Sequence, residues 1–205
     1  MTTDGNPGSL PKELSERFDA ALLMASRLHH RKPRKGTDIP YLLHILGVVG
    51  AAKAYGATED EAIAALLHDA IEDQGGPPAE AEVREHFGAN VAAIVRGCTD
   101  TDSARQPDWR ARKESFVARL RTASPSVRLI QACDKLQTAR AVLADWRVFG
   151  ETVWARCNGG KDGTLWYYRA VVGALGQAGG GPLVEELDRA VSELESLTGE
   201  GQAKA

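Results

Sequence analysis

Apolar residues recur with a helical period along almost the whole chain. Leu14, Phe18, Ala21, Leu22 and Ala25 fall on one face of a helix that Ser9-Leu10-Pro11 opens and that ends near His30. A basic loop broken by proline and glycine follows, RKPRKGTDIP. Tyr41 to Tyr55 reads as a second, strongly apolar helix, stopped by Gly56 where a left-handed residue ends a helix. Thr58 and Glu61 have the spacing of a capping box. They open a third helix, AIAALLHDAIED, which runs without a break until Gly75-Gly76-Pro77-Pro78 ends it. Two short helices are expected next, broadly Ala79 to Phe87 and Ala89 to Gly97, divided by Gly88. TDTDSARQPD is a polar loop, and residues 109–122 form a basic amphipathic helix. Ser124 caps a helix with Pro125 in its first turn, continuing to about Trp146. A further helix reaches Arg156, and NGGKDG, residues 158–163, reads as a flexible turn. Helices at 164–177 and 182–198 complete the pattern, with the Gly179-Gly180-Gly181 linker between them. No segment alternates with the period of a strand, no repeat is visible, and no glycine-rich phosphate loop opens a helix. The expectation is an all-α helical bundle.

Composition narrows the class. The chain has 205 residues, 43% hydrophobic and 26% charged, which suits one globular domain over 1–205 with a core of about residues 10–198. A net charge of −3 gives no global attraction to nucleic acid or to an anionic membrane. No apolar run approaches the roughly 20 residues that span a bilayer. The first residues, MTTDGNPGSLPKE, lack the apolar segment of a secretory signal. The 3 cysteines, Cys98, Cys133 and Cys157, include no CxxC pair and fit reduced thiols in a cytoplasmic protein. Self-association is not legible in the pattern.

The chemistry concentrates in AALLHDAIEDQGG, residues 64–76, where His68, Asp69, Glu72 and Asp73 interrupt an apolar run. On an unbroken helix His68 stacks with Glu72, and Asp69 with Asp73. Leu66, Leu67, Ala70 and Ile71 surround them with apolar surface. Carboxylates buried there without a partner would cost several kcal/mol each, and a divalent cation would remove that cost. His44 sits one turn into the apolar second helix, and Asp134 lies among core positions in LIQACDKL. The set His44, His68, Asp69 and Asp134 offers mixed nitrogen and oxygen ligands suited to Mn²⁺, Fe²⁺ or Zn²⁺. The bland alternative is a hydrogen-bonded core histidine with solvated acids around it.

The order His…His-Asp…Asp on successive helices resembles the HD metal-dependent phosphohydrolase superfamily. RKGTDIPYLLHILGV, AALLHDAIED and LIQACDKLQTAR resemble its RelA/SpoT-type (p)ppGpp hydrolases, and the chain length is similar to the small alarmone hydrolases, including the metazoan SpoT homologue group. The resemblance implies an HD-domain helical bundle and hydrolysis of (p)ppGpp at the 3′-diphosphate to GDP or GTP and pyrophosphate. It implies Mn²⁺ held by His44, His68, Asp69 and Asp134. Glu72 and Asp73 become the catalytic pair that handles water and leaving group. Arg34 and Lys35 lie beside the nucleobase, Tyr41 packs near the metal-bearing helix, and Arg140 closes the DKLxNxR element. Two positions depart from the family pattern: Ile45 stands for a proline, and Thr138 for the asparagine that faces the ribose.

The Thr138 departure keeps neighbouring activities open, namely an NADPH 2′-phosphatase or a 5′-nucleotidase. A catalytically silent nucleotide-binding module is the reading from a different class. Lys113 or its neighbour Arg112 on the basic helix, and Tyr167 or Tyr168 in the Trp166-Tyr167-Tyr168 run, are further candidate substrate contacts, against a solvated face and core packing respectively. His29 and His30 read as residues of a helix C-terminus rather than ligands.

Overall fold

The computed structural model describes residues 14–74, 76–100 and 108–200, and for Asp73, Gln74 and Glu200 the backbone alone. Helix α1 is Glu16–Leu28, with the Ser15 hydroxyl accepting the Arg17 amide as its N-cap. The expected start at Ser9 lies outside the described residues. Ser15 already terminates the helix, so Leu14 precedes it and remains largely exposed. His29 is the C-cap.

The basic loop is closed rather than open. Pro33 and Pro40 form an antiparallel bridge, the Arg34 amide donates to the Ile39 carbonyl at 2.7 Å, and the Tyr41 amide donates to the Lys32 carbonyl at 2.8 Å. This bridge is the sole extended pairing among the described residues. Helix α2, Tyr41–Ala54, then buries Ile45, Val48, Val49 and Ala52. Gly56 follows with φ +83°, the left-handed value expected of it.

The Thr58–Glu61 capping box is complete: the Thr58 hydroxyl accepts the Glu61 amide, and the Glu61 carboxylate accepts the Thr58 amide at 2.7 Å. The helix it opens is not continuous, however. Helix α3 is Glu59–Leu67, and α4 is Ala70–Gln74, with His68 and Asp69 in a turn between them. His68 Nδ1 lies 2.9 Å from the Ala65 carbonyl. An unbroken helix would pair that carbonyl with the amide of residue 69, so the side chain competes with the backbone at this point.

Helix α5, Pro77–Cys98, behaves as two pieces joined at Gly88, whose φ of +90° and ψ of 170° kink it. Asp108 caps α6, Trp109–Leu120. Ser124 caps α7, Pro125–Phe149, which runs a little past the expected end. The segment after it, Gly150–Arg156, is 3-10 rather than α-helical. Helix α8 is Gly160–Gln177 and α9 is Pro182–Glu200. NGGKDG is therefore mostly the first turn of α8 and not a flexible turn. Two of its glycines have a packing reason: a Cβ on Gly159 would meet Trp109 Cη2 at 2.4 Å, and one on Gly163 would meet Trp109 Cζ3 at 3.1 Å; Gly160 instead takes a left-handed φ of +60°.

All these elements contribute to one hydrophobic cluster. Helix α7 runs through its middle, packing on α2, α5, α8, α9 and the 3-10 segment, while α3 packs on α1, α2 and α5. The fold is all-α, and none of its described helices is long and apolar enough to cross a membrane.

Candidate metal centre and cleft

Helix α2 carries Tyr41 and His44, the α3–α4 turn carries His68 and Asp69, and α7 carries Asp134, Lys135 and Thr138. Because α7 lies against both α2 and α3, side chains about 90 residues apart in sequence converge at one place. His44, His68 and Asp134 each bring a ligand atom within 4.8 Å of the others. His44 Nε2 lies 3.2 Å from Asp134 Oδ1. Asp69 is not part of that group of three, but its Oδ1 lies 3.5 Å from His68 Nε2, and its Oδ2 accepts the Tyr41 hydroxyl.

His68 gives the clearest indication of what the group is for. Only a protonated Nδ1 can meet the Ala65 carbonyl, so in the neutral ring Nε2 keeps its lone pair. That Nε2 is buried and has no hydrogen-bond partner. A core histidine of purely structural role would satisfy both nitrogens. A metal-ligating histidine instead anchors one nitrogen on a carbonyl and aims the other at the ion. The donor set therefore fits a divalent metal.

Electrostatics agree with a site built for positive charge. Burial opposes charging of His68, yet the Asp69 and Asp134 carboxylates outweigh it and raise the imidazole above its ordinary value. Burial also opposes ionisation of Asp134, but the Lys135 ammonium, with His44 and His68, holds its carboxyl well below the usual range. Lys135 donates to Asp134 Oδ2, and the Thr138 hydroxyl reaches the Asp134 carbonyl at 2.9 Å and Oδ1 at 3.3 Å.

His44 and Asp134 open onto a cleft of about 370 Å³, and His68 is buried behind its lining. Arg34, Lys35, Tyr41, Glu72, Lys113 and Thr138, all singled out from sequence, line it with His44, Asp69 and Asp134. Lys35 donates to the Asn158 side chain, and Lys113 Nζ lies 2.7 Å from Asp100 Oδ2. Partial loss of solvent, the largest influence, raises the Glu72 carboxyl above its ordinary value, and Asp69 adds to it. Asp73 lies in α4, but its side chain is outside the described residues.

Two candidate substrate contacts sit elsewhere. Arg140 does not line the cleft; it pairs with Glu186 of α9. Six positions beyond Asp134 on a helix is about 240° of rotation, which turns Arg140 to a different face of α7. Tyr167 is buried in a side pocket next to the cleft, with Lys113 Nζ 4.8 Å and Lys135 Nζ 5.7 Å from its ring centre. Its neighbour Tyr168 is the one lining the main cleft.

Sequence reasoning missed Lys135, Arg156 and Asp145, which also line the cleft. Lys135 follows a candidate ligand directly and could have been read from the pattern. Arg156 had no such signal. It lies at the end of the 3-10 segment, pairs with Asp145 at 3.2 Å, and packs so closely on Gly36 that a Cβ there would lie 2.5 Å from its Cγ.

The sequence matches the HD domain family over residues 21–156. The chain belongs to the HD-domain family. It is similar to the guanosine-3′,5′-bis(diphosphate) 3′-pyrophosphohydrolases MESH1 of Xenopus tropicalis and Drosophila melanogaster. The first is 33% identical over 130 residues, which are 60% of this chain and 70% of that protein. The second is 30% identical over 145 residues, 69% of this chain and 76% of that protein. The Aquifex aeolicus protein of the same enzyme name is 29% identical over 128 residues, 62% of this chain but 18% of its own length. The chain thus spans less than a fifth of the long bacterial relatives. A solved structure of a metazoan SpoT orthologue, described as hydrolysing ppGpp, matches with a TM-score of 0.72 at 27% identity, over 91% of this chain and 98% of that one. A Listeria monocytogenes structure matches with a TM-score of 0.65 at 26% identity, over 76% and 98%.

Proposed function

We propose that the protein is a metal-dependent guanosine-3′,5′-bis(diphosphate) 3′-pyrophosphohydrolase, converting (p)ppGpp to GDP or GTP and pyrophosphate. The observation that carries this reading is the buried His68 Nε2, without a hydrogen-bond partner, grouped with His44 and Asp134, which in turn line a cleft furnished with Lys and Arg side chains. The family membership and the names of the relatives point the same way.

In this reading His44, His68, Asp69 and Asp134 hold one divalent ion, with Mn²⁺ the leading candidate and Fe²⁺ and Zn²⁺ compatible with the same donors. When bound, such an ion would lower the pKa of water toward neutrality and so would supply a nucleophile at neutral pH. The chain's own residues do the rest. Glu72, at the cleft edge, accepts the proton of the attacking water, and Asp73 completes the catalytic pair. Arg34, Lys35, Lys113, Lys135 and Arg156 supply the charged hydrogen-bond donors that a substrate bearing two diphosphates requires. Tyr168 and the wall formed by Val142 and Val153 supply surface for a nucleobase. The free thiols of Cys98, Cys133 and Cys157 suit a cytosolic setting.

One observation favours a second reading, a related nucleotide phosphatase acting on the NADPH 2′-phosphate or on 5′-nucleotides. The single Thr138 proton is directed at Asp134, so this side chain can only accept a hydrogen bond from a ribose hydroxyl. Product analysis separates the two. Purified protein with Mn²⁺ is offered ppGpp, NADPH and a nucleoside 5′-monophosphate separately, with Asp134→Asn as control. Pyrophosphate from ppGpp, absent in the variant, is the expected result. Orthophosphate from NADPH or the monophosphate, with ppGpp untouched, would overturn the alarmone assignment and keep the metal chemistry.

A further inference from the structure

A carboxylate that ligates a metal through one oxygen is usually steered by a hydrogen bond to the other. The two acidic candidate ligands differ sharply in how this is arranged. Asp134 lies within α7, where the helix fixes its backbone and where Lys135 and Thr138, on the same helix, contact its carboxylate. Asp69 has no such support. It lies in the turn where α3 breaks before α4 begins, so its backbone is not locked by a continuous helix. The hydrogen bond recorded to its carboxylate comes from the other side of the site, from the Tyr41 hydroxyl on α2 to Oδ2.

That bond leaves Oδ1 as the oxygen on the His68 side, 3.5 Å from Nε2. Tyr41 is itself fixed from several directions. Its amide is tied to the Lys32 carbonyl at 2.8 Å, the Lys32 ammonium lies 4.7 Å over its ring, and His29 and His44 flank the ring at 5.1 Å and 5.2 Å between centroids. A phenol with two side-chain torsions, flanked by Lys32, His29 and His44 on a tethered backbone, is a rigid donor and loses little entropy in keeping its hydroxyl on target.

From this geometry we infer that Tyr41 is a positioning residue for Asp69: its hydroxyl holds Oδ2 and thereby presents Oδ1 to the ion that His68 Nε2 also faces. The inference rests on the metal reading above and assigns Tyr41 to the ligand rather than to the substrate. The basic loop and α1 then serve the metal as well, since Lys32 and His29 fix the ring that fixes the carboxylate. No substrate contact by Tyr41 is needed for it to matter.

The test is a double-mutant cycle read by metal affinity. Wild type, Tyr41→Phe, Asp69→Ala and the double variant are stripped of metal and titrated with Mn²⁺, with free ion followed by electron paramagnetic resonance. Tyr41→Phe keeps the ring, and thermal melts of the metal-free proteins establish that all four are folded. The expected result is a loss of Mn²⁺ affinity of about 10–100-fold for Tyr41→Phe, the usual effect of removing such a support. A larger loss is expected for Asp69→Ala, and none further for the double variant. Unchanged Mn²⁺ affinity in Tyr41→Phe, with a raised KM alone, would overturn the inference and make Tyr41 a substrate contact. Additive losses in the double variant would overturn it too, because the two residues would act independently. If Asp69→Ala itself left Mn²⁺ affinity unchanged, the inference would fall together with the assignment of Asp69 as a ligand. The ppGpp activity is measured separately, so failure of the substrate assignment remains distinguishable from each of these.

Discussion

A carboxyl group that loses solvent beside other carboxylates holds its proton more tightly, and Glu72 is in that position. Glu72 is exposed as a residue, and the solvent its carboxyl loses to the cleft walls comes first, then Asp69 and Asp100, in raising its pKa, while Lys113 and Lys135 partly oppose them. Two consequences follow at this residue. A carboxyl whose folded pKa exceeds its unfolded one contributes stability below the unfolded value, and that contribution is lost as pH rises through the folded value. At neutral pH the ionised Glu72 is therefore a cost to the metal-free fold. As the proton acceptor of the proposed reaction it must nonetheless be ionised. Glu72→Gln should then lower kcat by about 10²–10⁴-fold while the metal-free variant melts no lower than wild type at pH 7. In the wild type, kcat/KM should fall as pH drops through the value at which Glu72 takes up its proton in the metal-loaded enzyme, and this acid limb should vanish from the residual activity of the variant. A variant that melts lower with its acid limb intact would assign Glu72 to structure instead.

Between residue and fold, the elements explain why some features were legible in the sequence. The Thr58–Glu61 box, the Gly56 stop, the Ser124-Pro125 start and the Gly88 division each depend on contacts within a few residues, and each matches the structure. What escaped sequence reasoning depends on distant partners. The break at His68-Asp69 arises because a buried histidine turns back to the Ala65 carbonyl, while the helical pattern itself continues across it. NGGKDG carries turn residues, yet Gly159 and Gly163 admit Trp109 of α6 against α8. Gly159 has an ordinary φ of −89°, so its cost of substitution is steric and not conformational. Gly159→Ala should therefore destabilise the protein by about 1–3 kcal/mol through overpacking against the indole, with a matching shift in tryptophan fluorescence. A denaturation midpoint equal to wild type would mean that α6 and α8 separate without loss. Because α6 also carries Lys113, that variant should bind a polyanionic substrate less tightly as well.

For the molecule as a whole, the site is a meeting of segments that are far apart in sequence around α7. The ligand-bearing pattern was readable because apolar helices rarely carry His44, His-Asp at 68–69 and Asp134 without a compensating partner. The cleft wall was less readable. Arg156 reaches the site only because the 3-10 segment folds back over the basic loop at Gly36. Arg140, by contrast, follows the family spacing yet faces α9, where it pairs with Glu186. Local pattern thus finds the polar residues set among apolar helix positions, and tertiary packing decides which cations surround them. The central claim is that one divalent ion at this centre is required for hydrolysis, and metal reconstitution tests it most directly. The protein is stripped with a chelator, its residual metal is measured by mass spectrometry, and pyrophosphate release from ppGpp is followed as Mn²⁺ is added back. The account predicts a silent stripped protein and activity that rises in proportion to bound Mn²⁺, saturating at about one ion per chain as expected for a single mononuclear site. Full-rate pyrophosphate release from protein shown to be free of metal would contradict it.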